Sequence, residues 1–167
     1  DRAHLLSGDD AAFWQARANL LIPVIKGWMT ERSLQVTSDA VQVHGGMGFI
    51  EETGAAQHLR DARILPIYEG TTAIQANDLI FRKTLRDNGD AVRTLLAEIR
   101  DDMGQIAGGG KGVAGLAGSV SAACDTAENV LDTVLARANA PRDAAASGAD
   151  FLMMLGYLTG GWQLARG

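Results

Sequence analysis

The sequence predicts an all-α protein: an up-and-down helical bundle followed by an additional helical extension. Three observations predict it. Proline occurs only at Pro23, Pro66 and Pro141, while Ala, Leu and Gly are abundant and aromatic residues are 5%. β-branched runs with strict alternation are missing. Apolar residues instead recur at steps of three and four, most plainly at Val92, Leu96, Ile99, Met103 and Ile106.

The elements follow in chain order. Asp9 and Asp10 are candidate caps for a first helix over 9–21, carrying Ala11, Phe13, Ala16, Leu20 and Leu21. Pro23 opens a second run, since a missing N–H is tolerated in a first turn. That run holds Val24, Trp28, Leu34, Val36, Val41 and Val43 and stops at Gly45-Gly46, with a loop to Ile50. A short helix is predicted over 53–63, before Leu65-Pro66. Another runs from about Gly70 to Arg86, with Ile74, Asp78, Phe81 and Leu85 on one face. Helices near 89–107, 113–140 and 143–166 form an antiparallel bundle appended to the first half. The second of them carries Val113, Leu116, Val120, Ala123, Ala127, Val130 and Val134, and the third Phe151, Leu155, Leu158 and Trp162. Gly108–Gly112 reads as a flexible connector. We therefore divide the chain into 1–87 and an extension over 88–167.

Composition excludes several classes of function. With 167 residues, 47% hydrophobic and 21% charged, the chain can build a packed soluble core, which excludes wholesale disorder. No apolar run approaches the ~18–20 residues of a membrane span, so membrane contact is not indicated. Fifteen basic against twenty acidic residues give −5, which argues against nucleic-acid binding. The one cysteine, Cys124, excludes an intramolecular disulfide and a Cys-rich zinc site, and fits a reducing, cytoplasmic compartment. The chain opens on Asp1 with no signal peptide, so the start was processed or the chain is a piece of a longer protein.

Most motif-like features have ordinary explanations. A phosphate loop ending at Lys111 would need glycine at Gln105 and a hydroxyl at Gly112. Gly46-Met47-Gly48 begins a dinucleotide fingerprint, but Glu51 stands where its last glycine should be and no strand precedes it. His4, His44 and His58 lack metal-helix spacing, so no metal is predicted. Cys124, Trp28 and Trp162 read as core residues.

One segment is different. Arg60-Asp61-Ala62-Arg63-Ile64-Leu65-Pro66-Ile67-Tyr68-Glu69-Gly70-Thr71-Thr72 sets a single carboxylate, Glu69, at the end of a largely apolar turn. It is either a solvated acid favoured by the start of the following helix or a general base. In the second reading Ile64, Leu65, Ile67 and Tyr68 desolvate the carboxylate once a ligand closes the site. Gly70 then permits close backbone approach, and the free N–H groups of the helix start can hold an oxygen anion.

Gln42-Val43-His44-Gly45-Gly46-Met47-Gly48-Phe49, Arg60-Asp61-Ala62-Arg63-Ile64 and Ile67-Tyr68-Glu69-Gly70-Thr71, in this order and spacing, closely resemble the C-terminal helical domain of acyl-CoA dehydrogenases. The resemblance covers roughly residues 9–86. It implies an FAD-dependent enzyme that introduces an α,β double bond into an acyl-CoA thioester and passes the electrons to electron-transferring flavoprotein. It further implies Glu69 as the base that removes the α-proton while hydride goes to flavin N5. Tyr68 and Gly70 would lie against substrate. Gln42, His44, Gly45, Gly46 and Thr71 would contact FAD, the Gln42-x-x-Gly45-Gly46 turn reaching the FAD of a neighbouring subunit, hence a homodimer or homotetramer. Arg60, Asp61 and Arg63 would brace the loop before the base.

Glu52-Thr53-Gly54 and Ala73 depart from the commonest family pattern. With the helices after residue 89, they resemble the branch that includes the 3-methylmercaptopropionyl-CoA dehydrogenases. On this resemblance the segment is a C-terminal fragment, expected neither to hold FAD well alone nor to turn over. Two other readings are a non-catalytic helical assembly module and an acyl-CoA oxidase.

Overall fold

The first helix, α1, spans Gly8–His44 and is followed by α2 (Gly46–Phe49), a 3-10 turn at Glu51–Thr53 and α3 (Ala55–Arg63). α4 (Thr72–Asn77) runs on as a π-helical segment, Asp78–Thr84. α5 (Asp90–Ile106) closes with a 3-10 turn at Ala107–Gly109, and α6 (Lys111–Ala136), α7 (Pro141–Ala146) and α8 (Gly148–Arg166) complete the chain. This computed structural model describes residues 5–109 and 111–167; His4 and the connector residue Gly110 lie outside the described residues. No strand occurs among the described residues, and the all-α prediction holds. No helix among them is long and apolar enough to cross a membrane.

Pro23 does not divide α1. It lies buried inside a continuous 37-residue helix, although an interior proline forfeits a hydrogen bond and costs ~3 kcal/mol. Packing overrides that cost. Leu20 and Val24 flank Pro23 and join the core, and α1 lies along α8 over this stretch. A Cβ on Gly27 would meet the Leu152 side chain at 2.8 Å, and one on Gly156 would meet the Trp28 side chain at 2.2–2.5 Å. These reciprocal glycines let α1 and α8 approach closely.

The stripe predicted for α5 is the one observed: Val92, Leu96, Ile99 and Met103 are buried, joined by Leu95. α6 is rotated from the predicted stripe at its start. Val113 and Leu116 are exposed, while Ala117, Val120, Cys124, Ala127, Leu131 and Val134 face the core. The run ends at Ala136 rather than at Pro141, which instead occupies the first turn of α7. The predicted final helix is thus two elements, with Phe151, Leu155, Leu158 and Trp162 buried on α8 as expected. In the α4–π element the buried face is Ala76, Leu79, Ile80 and Thr84, whereas Ile74 is exposed. The π geometry shifts the phase: the Leu85 N–H donates to the Ile80 carbonyl, five residues back, at 2.8 Å.

One hydrophobic cluster runs through all the long helices, from Leu20 and Val24 through α5 and α6 to Trp162. Polar ties cross it. Arg17, 7% exposed, forms an ion pair with Glu98 at 2.7 Å, and the Trp162 Nε1–H donates to Asp102 at 2.8 Å. On the rim, Arg100 bridges Asp125 and Glu128, both at 2.7 Å, and these hydrogen bonds raise its guanidinium pKa further.

Burial pushes the Cys124 thiol up from its ordinary range, opposed only in part by the charge of Arg100. A thiol pKa higher in the folded state favours folding below the unfolded value, and that contribution is lost as pH climbs through the folded one. Cys124 is expected to resist a chromogenic disulfide reagent at pH 8 in the native chain and react at once after unfolding. Rapid native labelling would contradict its place in the core.

Candidate functional site

The predicted residues fall into two groups. The first is the turn at the end of α1. The Gly45 N–H donates to the Gln42 carbonyl at 3.1 Å and the Gly48 N–H to the Gly45 carbonyl at 2.9 Å, winding the predicted loop into α2. Gly45, at φ +61°, ends α1, and Gln42, His44, Gly45 and Gly46 are all exposed. A Cβ on Gly45 or Gly46 would meet nothing within 4 Å, so a ligand can reach the bare backbone there. Gly48 is glycine for the opposite reason, since its Cβ would lie 2.4 Å from the Val41 carbonyl oxygen. These open glycines fit the approach of a cofactor such as FAD.

The second group is the loop between α3 and α4. Pro66 is buried beneath it, while Ile64, Ile67 and Tyr68 are each about half exposed, as is Ile74 on α4. Glu69 is exposed and has φ +52°; Gly70 follows at φ +97°. For a residue with a Cβ the left-handed region costs about 1–2 kcal/mol, so the surroundings must hold Glu69 there. The Gln75 side-chain amide donates to the Glu69 carbonyl at 3.4 Å and fills the space that a Cβ on Gly70 would need. Thr71 caps α4, its Oγ1 accepting from the Ile74 N–H at 3.4 Å. Glu69 is therefore exposed on a loop of half-exposed apolar residues, just before the start of α4.

The two groups do not converge within one chain. The Glu69 loop lies against α1 at Lys26 and Glu31, whereas the glycine turn is at the far end of α1. At 1.5 Å per residue, Gln42 is roughly 16 Å beyond Glu31 and 24 Å beyond Lys26.

Arg60 has a different role from the one read in the sequence. Its guanidinium forms a bidentate pair with Glu51 at 2.8 and 2.6 Å, tying α3 to the 3-10 turn after α2 rather than to the base loop. That hydrogen bond raises the Arg60 pKa further above its ordinary value. The sequence reading passed over Lys26 and Glu31. The signal available was a lone cation in the apolar run Val24-Ile25-Lys26-Gly27-Trp28.

Residues 5–83 match the model of the acyl-CoA dehydrogenase C-terminal domain, and residues 91–167 that of the acetyl-CoA dehydrogenase C-terminal-like family. The chain belongs to the acyl-CoA dehydrogenase family. Within this dehydrogenase-family chain, both candidate groups lie inside the first match, and the two matches meet across the turn at 84–90.

Among similar proteins is the 3-methylmercaptopropionyl-CoA dehydrogenase of Ruegeria pomeroyi, 50% identical over 151 residues, covering 90% of this chain and 26% of that protein. The broad-specificity linear acyl-CoA dehydrogenase FadE5 of Mycobacterium tuberculosis is 38% identical over 109 residues, 65% of this chain and 18% of its own length. A butyryl-CoA dehydrogenase of Syntrophomonas wolfei is 38% identical over 79 residues, 47% of this chain and 13% of its own. The chain thus spans about a quarter or less of the relatives it matches.

Proposed function

We propose that this chain supplies the catalytic base of an FAD-dependent acyl-CoA dehydrogenase, with Glu69 removing the α-proton of an acyl-CoA thioester. The observation that carries the reading is the Glu69 corner: an exposed residue in left-handed backbone, on a loop whose Ile64, Ile67 and Tyr68 are also exposed. A thioester α-proton is weakly acidic, so its removal needs an aligned base and a polarised carbonyl. Glu69 takes the proton on its carboxylate. The backbone N–H groups of the corner meet the negative charge developing on the thioester oxygen. Tyr68 and Gly70 line the acyl chain, and the apolar rim excludes water when substrate covers it. Bound FAD supplies the hydride acceptor for the β-carbon.

In this reading Thr71 contacts the cofactor of its own subunit, and Gln42, His44, Gly45 and Gly46 that of a neighbour. The distance between the two groups along α1 supports that division and favours a homo-oligomer. Residues 1–87 carry the chemistry, and 88–167 form an extension packed on them. Electron-transferring flavoprotein is the electron acceptor in this reading. The similarity to the Ruegeria protein makes 3-methylmercaptopropionyl-CoA the first substrate to try.

The test is an anaerobic titration of the full-length protein with acyl-CoAs that include 3-methylmercaptopropionyl-CoA, followed by flavin absorbance. Bleaching of a stoichiometric flavin band is expected. A flavin-free oligomer unresponsive to every acyl-CoA would make the chain an assembly module instead, and peroxide formed in air during turnover would mark an oxidase.

A further inference from the structure

We propose that Lys26 and Glu31 of α1 are positioning residues that set the direction of the Glu69 carboxylate; this rests on the reading of Glu69 as the base. Two successive residues with positive φ make the Glu69–Gly70 corner, so its direction follows from how the chain is fixed on each side. Both fixings come from α1. Before the corner, the Lys26 ammonium donates to the Leu65 carbonyl at 2.5 Å and sits 5.1 Å from the centroid of the Tyr68 ring. After it, the Thr72 hydroxyl donates to a Glu31 carboxylate oxygen at 2.5 Å. Lys26, Glu31 and Thr72 are half-buried.

The geometry favours positioning over mere fastening. The loop already closes on itself, the Ile67 and Tyr68 N–H groups donating to the Ile64 carbonyl at 3.0 and 3.2 Å. Neither of those bonds reaches α1. Lys26 grips the residue just before Pro66 and, through the Tyr68 ring, the residue next to the base. Glu31 grips the first residue of α4. A charge-assisted bond at each end is stronger than a neutral one, and the planar Tyr68 face restrains rotation between them. Releasing either end lets the carboxylate swing, and a misplacement near 1 Å costs about a hundredfold in a reaction that depends on alignment.

The experiment uses the full-length flavin-loaded protein with butyryl-CoA and 3-methylmercaptopropionyl-CoA. Lys26→Met should slow flavin reduction about 10- to 100-fold while changing KM by less than about threefold, with FAD content unaltered. Lys26→Arg, which keeps the donor and the cation over the ring, should recover most of the rate. Hydrogen exchange in Lys26→Met should quicken at residues 64–72 and stay unchanged in α5 and α8. Thr72→Val removes the donor to Glu31 without changing side-chain shape, and should slow reduction even if Lys26→Met does not fold. Glu69→Gln runs in parallel. Normal reduction by Glu69→Gln would defeat the base reading itself. A dead Glu69→Gln beside normal rates in Lys26→Met and Thr72→Val would defeat the positioning role alone.

Discussion

Glu69→Gln is expected to leave the full-length protein folded and flavin-loaded while lowering flavin reduction by acyl-CoA at least 10²- to 10⁴-fold, the usual contribution of a general base. The substitution keeps side-chain length and shape and removes only the capacity to accept a proton. Nothing in the core responds, because the side chain is exposed and the corner is held through backbone and neighbours. Rapid-mixing absorbance of the flavin band reads the rate directly, and reduction at the wild-type rate would show that another group takes the proton. Glu69→Gly separates chemistry from stability. It relieves a left-handed backbone worth about 1–2 kcal/mol, so the inactive variant should melt no lower than wild type.

Gly156→Ala is expected to be among the most damaging conservative changes in the chain. Its Cβ would fall 2.2–2.5 Å from Cγ, Cδ1 and Cβ of Trp28, atoms near the α1 backbone that cannot swing aside. Overpacking of this kind costs about 2–3 kcal/mol, a fall in Tm of roughly 5–10 °C for a chain of this size. Gly27→Ala should cost less, because the obstructing atoms are the mobile methyls of Leu152. Thermal unfolding followed by circular dichroism measures both. Adding Trp28→Ala to Gly156→Ala should recover part of the loss as a coupled pair, and an additive double variant would mean that the two side chains do not meet.

The sequence made α5 and the buried face of α8 legible because large apolar residues there stand at helical spacing against charged neighbours. α6 was legible as a helix but not in its phase. Where alanines and a cysteine share the core face, Ala117 and Cys124 carry no stronger hydrophobic signal than the exposed Val113 and Leu116. Pro23 misled because a local rule about an isolated helix was overruled by contacts with α8, which lies more than a hundred residues later. The left-handed backbone of Glu69 could not be read from residue type, since glutamate has no preference for that region; what was legible was a lone carboxylate at the end of an apolar turn. The partners of Lys26 and Glu31 could not be read for a related reason, lying 39 and 41 residues away in the chain.

Between Glu31 and Gln42, α1 contains neither proline nor glycine, and the Thr37 hydroxyl donates to the Ser33 carbonyl at 2.7 Å without leaving the helix. This stretch is a stiff ruler with the base loop at one mark and the glycine turn at another. A ruler of this kind tolerates substitution but not a change of count. One inserted residue would carry the turn about 1.5 Å further and swing it about 100° around the axis, pointing Gly45 and Gly46 at a different neighbour. Length variation among relatives should therefore gather in the turns around α2 and α7 and spare this span of α1, where the spacing of two half-sites is written as a number of residues.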